Sequence, residues 1–205
     1  IDFILDKIDY QRGALFSSSF EYPGRYTCWD VGFYNPPLLI TTKDNTINLL
    51  ALNQRGQILL SMLNPSFLNL EDIDVFKNTK TILSMRVVKS KVSFPEEERS
   101  KQPSVFSVIR HLISCFYSSQ EHDLGLYGAY AYDLIFQFEK LKKVQPRDKK
   151  DQDLIVYLPD ELYIVNHRKE ESICKSYDFS YLEHDTKGVK RLGKSFQPKL
   201  KTNLN

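Results

Sequence analysis

At 205 residues the chain is long enough for one domain with a core of its own, and its 41% hydrophobic and 26% charged residues exclude intrinsic disorder. A formal net charge of +2, with no clustered excess of Lys and Arg, gives no footing for a nucleic-acid or membrane-surface partner. The three cysteines, Cys28, Cys115 and Cys174, are odd in number and lack any C-x-x-C spacing, which speaks against a disulfide framework or a zinc site.

Reduced thiols and a cytoplasmic location are therefore expected, with Cys115 and Cys174 as small buried apolar side chains. No apolar run approaches the ~18 residues of a membrane span. The opening Ile1-Asp2-Phe3 lacks the features of a signal peptide and reads as the start of a piece whose preceding residues are missing. The 12 Tyr and 13 Phe, against 2 Met and 1 Trp, favour a sheet-rich interior. An α+β fold is expected, with antiparallel sheets and a few packed helices in a single domain.

In chain order, Phe3, Ile4, Leu5 and Ile8 fall near helical spacing and predict a helix over 2–9, followed by a strand at Ala14-Leu15-Phe16 that ends or loops at Ser17-Ser18-Ser19. Residues Glu21 to Pro37 are dense in Pro, Gly and aromatics and read as a structured loop. Leu38–Thr42, Ile47–Leu52 and Gln57–Ser61, separated by Lys43-Asp44-Asn45 and Asn53-Gln54-Arg55-Gly56, read as a three-stranded antiparallel meander. Thr81–Lys89 predicts a strand and Phe94–Gln102 a charged loop, in which Glu96-Glu97-Glu98 stay solvated. Val105, Val108, Ile109, Leu112 and Phe116 share one helical face behind Pro103-Ser104, where Ser104 is placed to cap.

Leu124 to Tyr132 reads as a core strand whose glycines permit close backbone approach, and Asp133 to Leu141 has helical spacing. A solvated basic loop is expected over Lys140–Asp151, and short strands at Leu154–Leu158, Leu162–Val165 and Ser172–Tyr177. The basic, Pro-containing stretch from Lys187 lacks periodic apolar residues. The expected division is a domain over 1–185 and a linker over 186–205 toward a further domain.

No catalytic constellation emerges: there is no phosphate-binding Gly loop, G-x-S-x-G or H-E-x-x-H. His111, His122, His167 and His184 have no metal-ligand spacing and read as surface or hydrogen-bonded structural residues. The span Arg12 to Asp30 differs. It concentrates hydroxyls, carboxylates, guanidinium groups and aromatic faces, the parts that hold a zwitterionic amino acid with a large apolar side chain. The alternative is an aromatic-rich loop packed on a sheet with its serines as turn residues.

The string Ser17-Ser18-Ser19-Phe20-Glu21-Tyr22-Pro23-Gly24-Arg25-Tyr26-Thr27-Cys28-Trp29-Asp30-Val31-Gly32-Phe33, followed by Asn35-Pro36-Pro37-Leu38, resembles the N-terminal domain of anthranilate synthase component I. It is most similar to the branch fused to its glutamine amidotransferase. Ala51–Gly56, Gly125–Asp133, Leu158-Pro159-Asp160-Glu161 and Tyr177-Asp178-Phe179 recur in the same order, so the resemblance covers nearly the whole chain.

The resemblance implies a regulatory domain that is inactive alone and has no catalytic residue or cofactor of its own. It implies L-tryptophan as inhibitor, and as partners the chain's own catalytic domain, which binds chorismate and Mg2+, and a glutamine amidotransferase domain or subunit. Many relatives carry Leu-Leu-Glu-Ser at the strand end, with the acid and serine contacting tryptophan; here Ser17 stands at the acid and Ser18 at the serine. Ser17, Ser18, Arg25 and Glu21 are the expected tryptophan-site residues, Glu21 or backbone carbonyls substituting for the missing acid. Arg25 either meets the ligand carboxylate or pairs with Asp30. Cys28 stands where the branch usually has Arg, and Asn166 where it often has Asp. The rival readings are another chorismate-using synthase (aminodeoxychorismate or the phenazine precursor), a structural interaction module that does not bind tryptophan and, more distantly, a nucleic-acid binder acting through the basic tail.

Overall fold

A computed structural model describes residues 2–17, 29–88, 95, 97–98, 102–139, 141–142, 144, 146–148, 150–193 and 195. The fold is α+β, with antiparallel sheets and a few helices in a single domain. Helix α1 (Asp2–Ile8) leads into β1 (Gly13–Phe16), β2 (Trp29–Tyr34), β3 (Leu38–Lys43) and β4 (Thr46–Ala51). Helix α2 (Gln54–Leu68), β5 (Ile73–Asn78), β6 (Ile82–Val87) and α3 (Val105–Phe116) follow. Then come β7 (Tyr127–Tyr130), a 3-10 helix (Tyr132–Gln137), β8 (Leu154–Leu158), β9 (Glu161–Asn166), β10 (Glu171–Ser176) and the hairpin β11 (Ser180–Tyr181) and β12 (His184–Asp185).

One sheet has six strands in the order β5-β6-β4-β3-β8-β7 and the other four in the order β1-β2-β9-β10. Register decides which side chains meet. Ile40 lies opposite both Leu49 and Val156, Leu49 opposite Leu83, and Ile47 opposite Met85. All are buried, so one face of the six-stranded sheet presents a continuous apolar surface, as a two-residue side-chain period requires. Leu59, Leu63 and Phe67 of α2 and Val105, Val108 and Leu112 of α3 complete that core. Ser104 occupies the N-cap position of α3 as expected, its N–H donating to Ser107 Oγ at 3.3 Å.

The opposite face of the same sheet meets the four-stranded sheet. Phe33 is fully buried, its ring centroid 5.7 Å from Tyr157 and 6.1 Å from Tyr127, and Leu162 and Ile164 pack beside it. Alternation then turns Gly32 and Tyr34 to the outer face, where α1 lies. Phe3 packs edge-on against Tyr34 at 5.9 Å, and Ile4 crosses Gly32 so closely that a Cβ there would stand 3.0 Å from Ile4 Cγ2. The layers run from α2 and α3 through the two sheets to α1.

Four expectations are corrected. Gln57–Ser61 is not a strand but the middle of α2: Asn53 caps it, accepting from Gly56 N–H at 3.0 Å, and Leu59, Leu60, Leu63 and Phe67 follow the helical period into the core. Trp29–Tyr34, expected within a loop, is a strand whose Val31 and Gly32 pair with β1 on one side and β9 on the other, so it is interior to its sheet. The Leu124–Tyr132 stripe is a short edge strand and not a core strand, with Tyr130 and Tyr132 exposed. The loop before β8 is not wholly solvated, because Arg147 ion-pairs with Asp133 (2.8 Å), Asp44 (3.6 Å) and Asp153. Strand β5 was not anticipated. The close approach expected of glycine holds at Gly128, where a Cβ would lie 2.1 Å from Ile155 O.

Candidate functional site

Three of the motifs that carry the resemblance converge on Arg55, in the first turn of α2. Its side chain is 1% exposed, and its five N–H groups are all matched. Nε donates to Asp160, Nη1 to Thr186 O (2.7 Å) and Val189 O (3.1 Å), and Nη2 to Tyr177 O (2.7 Å) and Asp178 Oδ1 (2.9 Å). Arg191 adds a second guanidinium, 3.5 Å from Asp160 and 3.0 Å from Tyr177 O. Burial pushes the Asp160 carboxyl above its ordinary range, against the pull of Arg55 and Arg191. With its donors saturated, Arg55 has nothing left to offer a ligand. It fastens α2, the start of β9 and residues 177–189 to one another.

The other cluster lies around the ends of β1 and β2. Ser17, exposed, follows β1 directly. Ser18, Glu21, Arg25 and Cys28 lie outside the described residues. The β1–β2 register runs from Gly13↔Tyr34 to Phe16↔Val31, and its next step sets Ser17 across from Asp30. Asp30 is 2% exposed; its Oδ2 lies 2.6 Å from His167 Nε2, and among the described residues no group hydrogen-bonds its Oδ1. Sequence reasoning considered Asp30 only as a partner for Arg25. Its burial next to the exposed Trp29 follows from the pairing of β2 with β1 and β9 and had no local signal.

Asp30 opens onto a cavity of about 320 Å³ between α1 and the outer face of the four-stranded sheet, walled by Phe3, Ile4, Leu15, Tyr163 and Ile173. The Tyr163 hydroxyl donates to Glu161 Oε1 at 2.6 Å. Burial foremost, then that bond, raises its pKa and keeps it protonated. A larger cavity of about 520 Å³ lies between α2, α3 and residues 178–181. Cys115 lines the larger cavity and Cys174 the smaller; both are exposed, which corrects the expectation of burial. Cys174 is exposed because β10 is an edge strand, and Cys115 because it lies off the buried face of α3.

Asn166 serves structure, its Oδ1 accepting the N–H groups of Arg168 (3.1 Å) and Lys169 (3.2 Å) at the β9–β10 turn. His111 packs edge-on against Phe67 at 4.9 Å, and with His167 on Asp30 it fits the structural reading of these residues. Among the described residues no group of His, Cys, Asp and Glu is placed to hold a metal ion, and no helix is long and apolar enough to cross a membrane.

No family model matches the chain. Relatives do. An anthranilate synthase of Azospirillum brasilense is 36% identical over 206 residues, covering 99% of this chain and 28% of the relative. Anthranilate synthase component 1 of Buchnera aphidicola subsp. Pemphigus spyrothecae is 26% identical over 95% of the chain and 37% of the relative. That of Buchnera aphidicola subsp. Schizaphis graminum is 27% identical over 80% and 32% respectively. The chain thus spans roughly a third of the length of the curated relatives it matches. Over 80% to 99% of its length, the chain is homologous to part of relatives named anthranilate synthase or anthranilate synthase component 1.

Proposed function

We propose that this chain is the N-terminal regulatory and structural part of an anthranilate synthase, with residues 1–185 as the domain and 186–205 leading to a chorismate-binding catalytic domain. The full-length enzyme then converts chorismate and glutamine to anthranilate, the first step of tryptophan biosynthesis. The observation that carries this reading is the match to an anthranilate synthase along 99% of the chain.

The relatives' length supports the fused branch. Some 206 aligned residues make up 28% of the Azospirillum relative, whereas 197 make up 37% of the Pemphigus-associated one, so the former is the longer chain, as a fused amidotransferase requires. In this reading Mg2+ belongs to the catalytic domain, and the amidotransferase supplies ammonia. The regulatory ligand is L-tryptophan, with Ser17, Ser18, Glu21 and Arg25 as its site residues. Ser18 contributes a hydroxyl and Arg25 a guanidinium to its carboxylate. Feedback inhibition is then a coupling between this domain and the catalytic domain, reciprocal in binding energy.

Anthranilate formation by the full-length protein tests the proposal. The unmodified enzyme is expected to lose activity as L-tryptophan rises, and Ser18→Ala to need about tenfold more tryptophan for the same loss, the cost of one hydrogen bond of about 1.4 kcal/mol. Absence of anthranilate formation from chorismate sinks the enzymatic reading. Activity indifferent to tryptophan sinks the regulatory one.

A further inference from the structure

A buried carboxylate is costly unless a cation or sufficient hydrogen bonds offset its lost hydration. Among the described residues Asp30 is half provided for: His167 meets Oδ2 at 2.6 Å, while no group hydrogen-bonds the buried Oδ1. The carboxylate borders the cavity between α1 and the four-stranded sheet, whose other walls are largely the apolar Phe3, Ile4, Leu15 and Ile173 and the ring of Tyr163. Its volume of about 320 Å³ lies at the lower end of the range for small-molecule sites, suited to a ligand the size of one amino acid. A negative charge at the edge of an apolar chamber selects a compact cation carried on an apolar body. A primary ammonium group fits: it is a short-range donor of three hydrogen bonds, whereas an anion here would meet repulsion.

Position 17 gives this geometry its meaning. The β1–β2 register sets Ser17 across from Asp30, and two-residue alternation puts both on the face shared by Leu15 and Gly32. An acid at position 17 and an acid at position 30 would thus present charge to neighbouring places on one surface. We propose that Asp30 receives the ammonium group of the amino acid this domain binds, so that the acid absent at Ser17 is supplied from the adjacent strand. The assignment rests on the tryptophan reading for the ligand's identity. It makes Asp30 a specificity determinant that discriminates amino acids from their deaminated analogues.

Cys174 lines the same cavity and Cys115 a different one, which provides a test on the unmodified full-length protein. Alkylation by iodoacetamide is followed at each cysteine by peptide mass mapping. Saturating L-tryptophan is expected to slow Cys174 by at least about tenfold and to leave Cys115 unchanged, because only the occupied fraction is shielded. In parallel, Asp30→Asn is expected to weaken L-tryptophan about tenfold or more and to leave indole-3-propionate, which lacks the ammonium group, unaffected. Tryptophan that binds without protecting Cys174, or that binds the Asp30→Asn protein as well as the unmodified one, overturns the role of Asp30 and leaves the regulatory reading standing. Failure of the unmodified protein to bind tryptophan overturns that reading and the assignment with it. Should Asp30→Asn not fold, protection of Cys174 in the unmodified protein decides alone.

Discussion

Replacing Arg55 by Ala is expected to cost about 3–5 kcal/mol of stability, the range found when one member of a buried ion pair is removed. The substitution strands the Asp160 carboxylate, 2% exposed, leaving Arg191 at 3.5 Å as its remaining cation among the described residues. It also takes the Arg55 donor from the carbonyls of Tyr177, Thr186 and Val189. Arg55→Lys rescues little, since an ammonium has three donors and no planar fork to meet five separate contacts. Urea denaturation followed by far-UV circular dichroism measures the loss. A change below about 1 kcal/mol would mean that the cluster does not fasten α2 to residues 177–189.

Phe67→Ala is expected to cost about 3–5 kcal/mol, whereas Leu68→Ala, one residue on, should stay within about 0.5 kcal/mol. Phe67 is fully buried against His111 and the core, while Leu68 is 56% exposed. The contrast is set by helical phase: Leu59, Leu63 and Phe67 recur every four residues on the core side of α2. The same urea titration reads both variants. Equal losses at the two positions would contradict the orientation of the helix.

Where a segment showed its own period over enough residues, the sequence announced its structure. Helix α3, with five apolar residues on one face, and strands β3, β4, β8 and β9, with apolar runs bounded by turn residues, fall where expected. Helix α2 was obscured for three reasons. Gln57–Ser61 is too short to separate the two periods, Pro65 stands inside the helix at the cost of a backbone hydrogen bond, and the first turn buries an Arg and a Gly. Gly56 is needed there because a Cβ would stand 2.0 Å from Pro37 O, a contact between elements that no local pattern encodes. β5 has only Ile73 and Val75 half-buried among exposed residues, too little alternation to register as a strand.

The proposed site was suggested by composition and not by geometry. Hydroxyl, guanidinium and aromatic residues between Arg12 and Asp30 are the residue types that an amino-acid site requires. The Asp30 oxygen that has no partner among the described residues emerges only when β2 is set between β1 and β9 and α1 is laid over their outer face. Arg55 and Asp160 were visible as parts of separate motifs. That they form one ion pair follows from the tertiary fold, which joins positions 105 residues apart.

Isothermal titration of L-tryptophan into the full-length protein, beside its Ser18→Ala variant, tests the regulatory assignment most directly. Saturable binding that the variant weakens by about tenfold places the regulatory site at the end of β1. No heat of binding to the unmodified protein would contradict it and leave this domain a structural one.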